Sequence, residues 1–411
     1  MDFGEQKIGW KTPSLILICG TLILLSSFGI RQTYGLFLGP ISESNGWNIS
    51  VFSFSMGLQV LVWGLSQPLW GVVADRYGAG RVISAGAALY ALGLYLMATS
   101  TTEIEIHVST GVLTGLAMSA TGFPIILSVI GRSIHLKRRS LFLGIASAGG
   151  SSGQVIVVPF AHYFMIDSGY ASSLIILSCI MLIIIPLIIP IAGKPIISND
   201  QFDRRQSVTE AIFESLHHRG YLLLVLGFFV CGFQTLFIAS HLPLYLKDIG
   251  ISAEIAAWSL ALIGLFNILG SFVWGALGGR YSKKYLLAGL YMMRSLCIVV
   301  YVLMPITDVS TIIFSALMGL TWLGTIPLTS GLVAQIFGTQ YLATLYGFVF
   351  LSHQLGSFVG ITFGGIVRGW GGSYDPVWWT AVGLGFVAVF IHWPIDEKPV
   401  TRKVMLQTKI G

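Results

Sequence analysis

Charge is what this sequence has least of. Asp, Glu, Lys and Arg make up 10% of its 411 residues, where a soluble domain carries about 25%, and that shortage excludes a water-soluble fold for the bulk of the chain. Cysteine is sparse too: Cys19, Cys179, Cys231 and Cys297 sit singly in apolar runs with no CxxC pair, which argues against a disulfide framework or a zinc site. No GxxxxGK[ST] loop, HExxH helix or triad-like grouping is present, so a nucleotide-driven pump and an intramembrane enzyme are without support, and neither cofactor nor metal is expected. The 14 prolines are outnumbered by 49 glycines that lie inside apolar runs, the pattern of close helix contact in lipid rather than of collagen or low-complexity sequence. The first apolar run is too long for a cleavable leader and reads as a first span.

What is there is apolar: 55% of the residues, in runs of the length a helix needs to cross a bilayer, about 20 residues at ~1.5 Å each. Twelve such spans are expected, at 14–40, 50–71, 82–100, 107–130, 140–166, 171–192, 220–246, 255–278, 285–305, 310–336, 342–367 and 374–393. With an even number, both termini share a side, and 19 of the 23 Lys and Arg residues fall on it. The opposite side holds Lys247 and Arg368. By the positive-inside rule both termini face the cytoplasm, and the net charge of +6 follows from that bias, not from nucleic-acid binding. A plasma-membrane protein acting as a monomer, with the bilayer as its partner, is the expectation.

The long polar stretch 193–219 divides the chain into a six-span half (1–192), a cytoplasmic linker and a second half (220–411). Within the linker, Ser207 followed by Glu210 is a capping-box start for a short surface helix up to His218. A repeat supports the division: Trp70-Gly71-Val-Val-Ala-Asp75-Arg76-Tyr77-Gly78 recurs as Trp274-Gly275-Ala-Leu-Gly-Gly279-Arg280-Tyr281-Ser282, offset by 204 residues. A weaker echo pairs Gly144 and Gly153 with Gly347 and Gly356. The fold class is therefore an all-α membrane protein of two pseudo-symmetric six-helix halves.

The segment Gly71-Val-Val-Ala-Asp75-Arg76-Tyr-Gly78-Ala-Gly-Arg81 resembles the GxxxDRxGxx(R/K) loop of the major facilitator superfamily, and with twelve spans the resemblance covers the whole chain. It implies a loop that locks the two halves in one conformation, with Gly71, Asp75, Arg76, Gly78 and Arg81, and Arg280 in the second copy, as conformational residues; Gly279 stands where the second copy would carry an aspartate. Asp75, near a helix end, is expected to pair with a basic side chain or cap backbone amides. A second segment, from Lys137-Arg138-Arg139 through Gly144, Gly149 and Gly150 to Gly153, is similar to the entry to span 5 in monocarboxylate transporters and bacterial oxalate/formate exchangers. Where those carriers often have a DGGWGW-like start, this chain has Gly9-Trp10.

All 17 acidic residues lie in loops or within about a turn of a span end. That removes the usual acidic proton relay and the cation-binding carboxylate. Arg31 and Arg294 lie inside spans, at a cost of ~2.5–3.5 kcal/mol or more unless a partner is found, and an anionic substrate is the natural counter-charge. Arg31, in the run Arg31-Gln32-Thr-Tyr34, reads as a cavity residue, against snorkelling to the outer interface; the resemblance adds that span 1 lines the pathway. Arg294 reads either as a substrate contact or as a packing arginine bonded to carbonyls. His353, with Gln354, is placed near the midplane of span 11, where the oxalate carriers have a lysine, so the resemblance implies a substrate-facing role; a packing histidine is the alternative. His241 is a gate or an interfacial residue. Asn267 and Ser271 stand where animal monocarboxylate carriers have an aspartate and an arginine, and Asn267, Gln59, Gln154 and Gln234 read as neutral donors to a carboxylate or as interhelical bonds.

The sequence thus reads as a secondary transporter of a small organic anion, a mono- or dicarboxylate, working by alternating access with proton symport or anion exchange. The rivals are an exporter of a larger amphipathic solute and a non-transporting sensor on the same fold.

Overall fold

The computed structural model describes residues 12–193, 206–369 and 373–402; Gly9-Trp10 and much of the expected linker lie outside them. Among the described residues all regular structure is helical, and ten helices are long and apolar enough to cross a membrane. One of the ten, Leu136–Ile188, holds two spans: Gly169, at φ 84, takes a left-handed conformation that a side chain disfavours and turns the chain between spans 5 and 6. A further helix, Ile49–Tyr77, is 29 residues long but carries Gln59, Gln67 and four serines. These polar groups bond within the bundle, Gln59 to Thr114 Oγ1 at 2.8 Å and Gln67 to the Ser119 carbonyl at 3.0 Å, so the helix serves as span 2.

Span 1 is Pro13–Gln32 continued by Tyr34–Asn45; span 3 is Ala79–Thr99; span 4 runs from Glu103 to Ser133; spans 5 and 6 share Leu136–Ile183; span 7 is Arg219–Asp248; span 8, Ala253–Leu277; span 9, Lys283–Leu303; span 10, Asp308–Thr321 with Thr325–Phe337; span 11, Leu342–Gly369; span 12, Asp375–His392. Spans 1, 4 and 10, each expected as one helix, are interrupted. In span 4 the extended Gly122 ends Thr114–Thr121, and Phe123–Ser133 starts afresh with a proline in its first turn; a π-helical stretch, His107–Leu113, precedes it. In span 10 the break covers Trp322 to Gly324. Proline starts a helix more easily than it continues one, which apolar counting does not register.

Glycine sets the spacing within each half, and it does so twice. A Cβ on Gly153 would collide with the Leu25 carbonyl of span 1, and one on Gly356 with the Phe229 carbonyl of span 7; the partners and the glycines are related by the repeat offset to within one residue. The seams between the halves follow the same rule: Gly144 lies against Ser271 O and Gly275, while Gly347 lies against Gln67 O and Gly71 against Ala343 O. With no hydrophobic gain between helices in lipid, such close approach is what holds them together.

On the face rich in Lys and Arg, the expected linker helix is observed as Val208–Leu216 with its capping box, Ser207 Oγ accepting from the Glu210 amide and the Glu210 side chain accepting from the Ser207 amide. Arg402 grips it through Glu214 at 2.7 Å, and Tyr341 donates to the Gln206 carbonyl. Burial pushes the Glu214 carboxyl up, but the bonds from Arg402 and Gln206 outweigh it and leave it below the ordinary glutamate value.

Valine at Gly153 or Gly356 is expected to lower the melting temperature of the purified protein sharply, since overpacking costs ~1–3 kcal/mol. Valine at Gly383, where a Cβ meets nothing, serves as the control and should leave it unchanged. Equal melting of all three variants would contradict the packing account.

Candidate functional site

Three polar groupings lie inside the apolar bundle, and each handles charge differently. The first is at the basic face. Asp75, near the end of span 2, is buried; its Oδ1 accepts from Arg132 of span 4 at 2.9 Å, and its Oδ2 accepts from both the amide and the hydroxyl of Thr344 at 2.8 Å. Thr344 is in the first turn of span 11, so an aspartate of one half sits on the N-terminus of a helix of the other, where unpaired amides and the helix dipole favour negative charge. Gly71 permits the approach, because a Cβ there would fall 2.6 Å from the Ala343 carbonyl, and Gly78, at φ 99, makes the turn into span 3. Arg76, Arg81 and Arg280 are exposed. In the second copy Gly279 has no carboxylate to offer; instead Glu397, beyond span 12, accepts from the Lys284 amide at the start of span 9.

The second grouping belongs to the first half. Arg31 stands in the last turn of Pro13–Gln32, half-buried, with the phenols of Tyr34 and Tyr90 as its electrostatic neighbours. Its guanidinium has no hydrogen bond and no ion pair among the described residues. Tyr34 is fully buried; its hydroxyl is surrounded by Thr114, Tyr90 and Gln59, none of them at good hydrogen-bond geometry, and Gln59 Oε1 likewise has no well-placed partner among the described residues. Tyr90 donates to the Ser27 carbonyl at 3.1 Å. Next to Arg31 in the chain, exposed Gln32 donates to Gln154 Oε1 of span 5 at 3.1 Å.

The third belongs to the second half, and here the arginine's two terminal nitrogens are bonded within the protein, while its Nε is not. Arg294, fully buried, donates through Nη2 to the Thr321 and Trp322 carbonyls and through Nη1 to Gln234 Oε1 at 3.3 Å and Cys231 Sγ at 3.6 Å. Those carbonyls close the first helix of span 10, so the negative end of a helix dipole takes the place of a carboxylate. Gln234 also donates to the Ala381 carbonyl of span 12 at 2.8 Å. His353 Nδ1 lies 3.0 Å from Gln354 Oε1, and its ring stacks on Phe350; Gln354 is pressed against Gly64 of span 2. Between the halves at this level, Trp63 and Phe350 pack with centroids 5.4 Å apart.

Asn267 is a node between three spans, donating to Ser151 Oγ at 2.8 Å and accepting from the Leu323 amide and Ser271. His241 uses both ring nitrogens within the second half, on the Tyr374 hydroxyl at 3.0 Å and the Ile361 carbonyl at 2.9 Å. The structure thus groups Arg31, Tyr34 and Gln59, sets Gln32 with Gln154, Arg294 with Gln234, and His353 with Gln354, and leaves Asn267 and His241 apart from all of these. Tyr90, Arg132, Thr344 and Cys231 were not singled out from the sequence. The repeat offset held the signal for one of them: Tyr90 and Arg294 are 204 residues apart.

A helical bundle of this topology, with an aspartate at the second span's end bonded to the other half, is matched by the family model described as Major Facilitator Superfamily over residues 20–361. The chain belongs to that superfamily. Among its relatives, the oxalate:formate antiporter of Oxalobacter formigenes is 22% identical over 95% of this chain and 94% of its own, and monocarboxylate transporter 13 of Bos taurus 21% identical over 95% and 93%. Among solved structures, the E. coli fucose:proton symporter FucP superposes with a TM-score of 0.70 at 17% identity, over 92% of this chain and 98% of that one. Superfamily members are transporters, and the present chain holds the arrangement closed at its basic face.

Asp75→Asn weakens charge-assisted bonds, of the kind worth ~1.5–3 kcal/mol, in a contact between the halves. Spin-label distances across the basic face are expected to shift toward an open population; an unchanged distribution would show that Asp75 does not hold the halves.

Proposed function

We propose that the protein is a secondary active transporter of a small organic anion, moved by rocking the two halves about a midplane site, with the basic face and both termini in the cytoplasm. Its single strongest support is the contrast between two intramembrane arginines. Arg294 donates from both terminal nitrogens to groups of the protein; Arg31 has no such bond among the described residues, and beside it a phenol and an amide oxygen also lack a partner there. A charge in a span without a protein counter-ion is best explained by a ligand that brings one. The names of the relatives, an oxalate:formate antiporter and monocarboxylate transporters, favour a carboxylate as that ligand.

In this reading Arg31 anchors the carboxylate, Tyr34 donates its hydroxyl proton to a substrate oxygen, and Gln59 Oε1 accepts from a hydroxyl group on the substrate. Gln32 and Gln154 bound the site on the far side, and His353 and Gln354 supply the second half's wall. Arg294, Gln234 and Asn267 hold the helices that form the site. Symport and exchange are separated by His353→Gln: loss of pH-driven accumulation with retained exchange marks His353 as the coupling group, and unchanged accumulation excludes it.

Arg31→Gln is expected to weaken binding of the anion by roughly ten- to a hundredfold, the equivalent of one lost charge-assisted interaction, and Arg31→Lys to recover part of it, because the planar fork is gone. Arg294→Gln should instead lower the melting temperature. Titration of the purified variants with a transported carboxylate reads both effects, and wild-type affinity in Arg31→Gln would remove the argument for an anion.

A further inference from the structure

One groove in the molecule has walls from opposite halves. Ile145 and Ala148 of span 5 face Leu265, Leu269 and Phe272 of span 8 across a space of about 600 Å³ whose lining is wholly apolar. Leu265, Leu269 and Phe272 are each about half exposed, so the groove opens sideways into hydrocarbon, away from the polar groupings above. It lies just beside the seam where Gly144 meets Gly275.

At the basic end of the same seam is a group of unpaired cations. Arg138 precedes Ile145 by seven residues in one continuous helix, which places both on one face, two turns or ~10 Å apart. The Lys137 carbonyl lies 3.6 Å from where a Cβ on Gly279 would stand, so Lys137-Arg138 of the first half and Gly279-Arg280 of the second are neighbours. Lys137, Arg138 and Arg280 are exposed, and none takes part in the ion pairs found among the described residues. Positive charge at the mouth and an apolar channel running up from it match the two ends of one molecule.

We propose that this seam binds an anionic phospholipid from the leaflet on the basic side, with its phosphate between Lys137, Arg138 and Arg280 and one acyl chain in the groove. Because any lipid leaves hydrocarbon for hydrocarbon when its chain enters, selectivity comes from the headgroup charge, while the groove fixes where the chain lies. Because the walls belong to different halves, the bound lipid favours the arrangement in which the groove has this shape and is released when the halves rock. The proposal is independent of what the carrier moves.

The test is native mass spectrometry of the full chain extracted from vesicles of mixed phosphatidylcholine and phosphatidylglycerol. Wild type is expected to retain phosphatidylglycerol in preference to phosphatidylcholine. The double variant Arg138→Gln with Arg280→Gln should retain about thirtyfold less, the scale set by two cations at an anionic leaflet, with unchanged melting in pure phosphatidylcholine. Lys398→Gln, an exposed cation after span 12 that is not one of the three proposed to hold the phosphate, should retain as much as wild type. Ala148→Phe, which fills the groove and leaves the charges, should lose the lipid as well; should that variant fail to fold, the charge pair decides. No preference for phosphatidylglycerol in wild type, no loss in the double variant, or an equal loss in Lys398→Gln overturns the site, and full retention in a folded Ala148→Phe overturns the groove's part in it.

Discussion

Hydrocarbon cannot solvate a charge, and the architecture of this protein follows from how each buried charge is answered. Asp75 is answered by Arg132 and by the N-terminus of span 11. Arg294 is answered by the C-terminal carbonyls of the first helix of span 10, which exist as free acceptors because the span is broken there. Arg31 is answered by no hydrogen bond or ion pair among the described residues. Both answered charges use a helix end, Asp75 in addition to its counter-ion Arg132 and Arg294 in place of one, the device by which an irregular backbone is tolerated at membrane depth when it serves a polar group.

The two halves are built alike but charged differently. The glycine contacts of spans 1 and 5 recur in spans 7 and 11 with the repeat offset, and those of spans 5 and 8 recur in spans 11 and 2. Onto this common frame the first half places Asp75 and an arginine with no hydrogen bond among the described residues, and the second half places Gly279 at the position matching Asp75 and an arginine bonded to backbone carbonyls. The position that holds Arg294 in one half holds Tyr90 in the other, and Tyr90 lies beside Arg31. Function therefore rests on departures from the symmetry that builds the fold.

The fold was legible because span length, charge bias and the Gly71-to-Arg81 segment each depend on local composition. The breaks in spans 1, 4 and 10 were not: apolar counting is blind to Gly122 and to the short turn at Trp322, and these decide where free carbonyls appear. The site was legible in its charges and poorly so in its partners. Arg31 and Arg294 look equivalent in sequence, two arginines in apolar runs, and what separates them is a hydrogen-bond inventory that depends on which helix ends lie alongside. Asp75 was readable as a residue that pairs or caps; that it does both at once, across the halves, needed Arg132 and Thr344 brought together from 57 and 269 residues away.

The central claim, that an unanswered intramembrane arginine marks an anion carrier, is tested most directly on the wild-type protein with pairs of ligands that differ in charge alone. Thermal stabilisation of the purified carrier by a panel of small carboxylates is measured against their neutral amides, with the sugars fucose and xylose as uncharged comparators, since a ligand of the folded state raises its apparent stability. The account predicts stabilisation by at least one carboxylate and none by its amide or by either sugar. Equal stabilisation by acid and amide, or by a sugar with no acid effective, would contradict it.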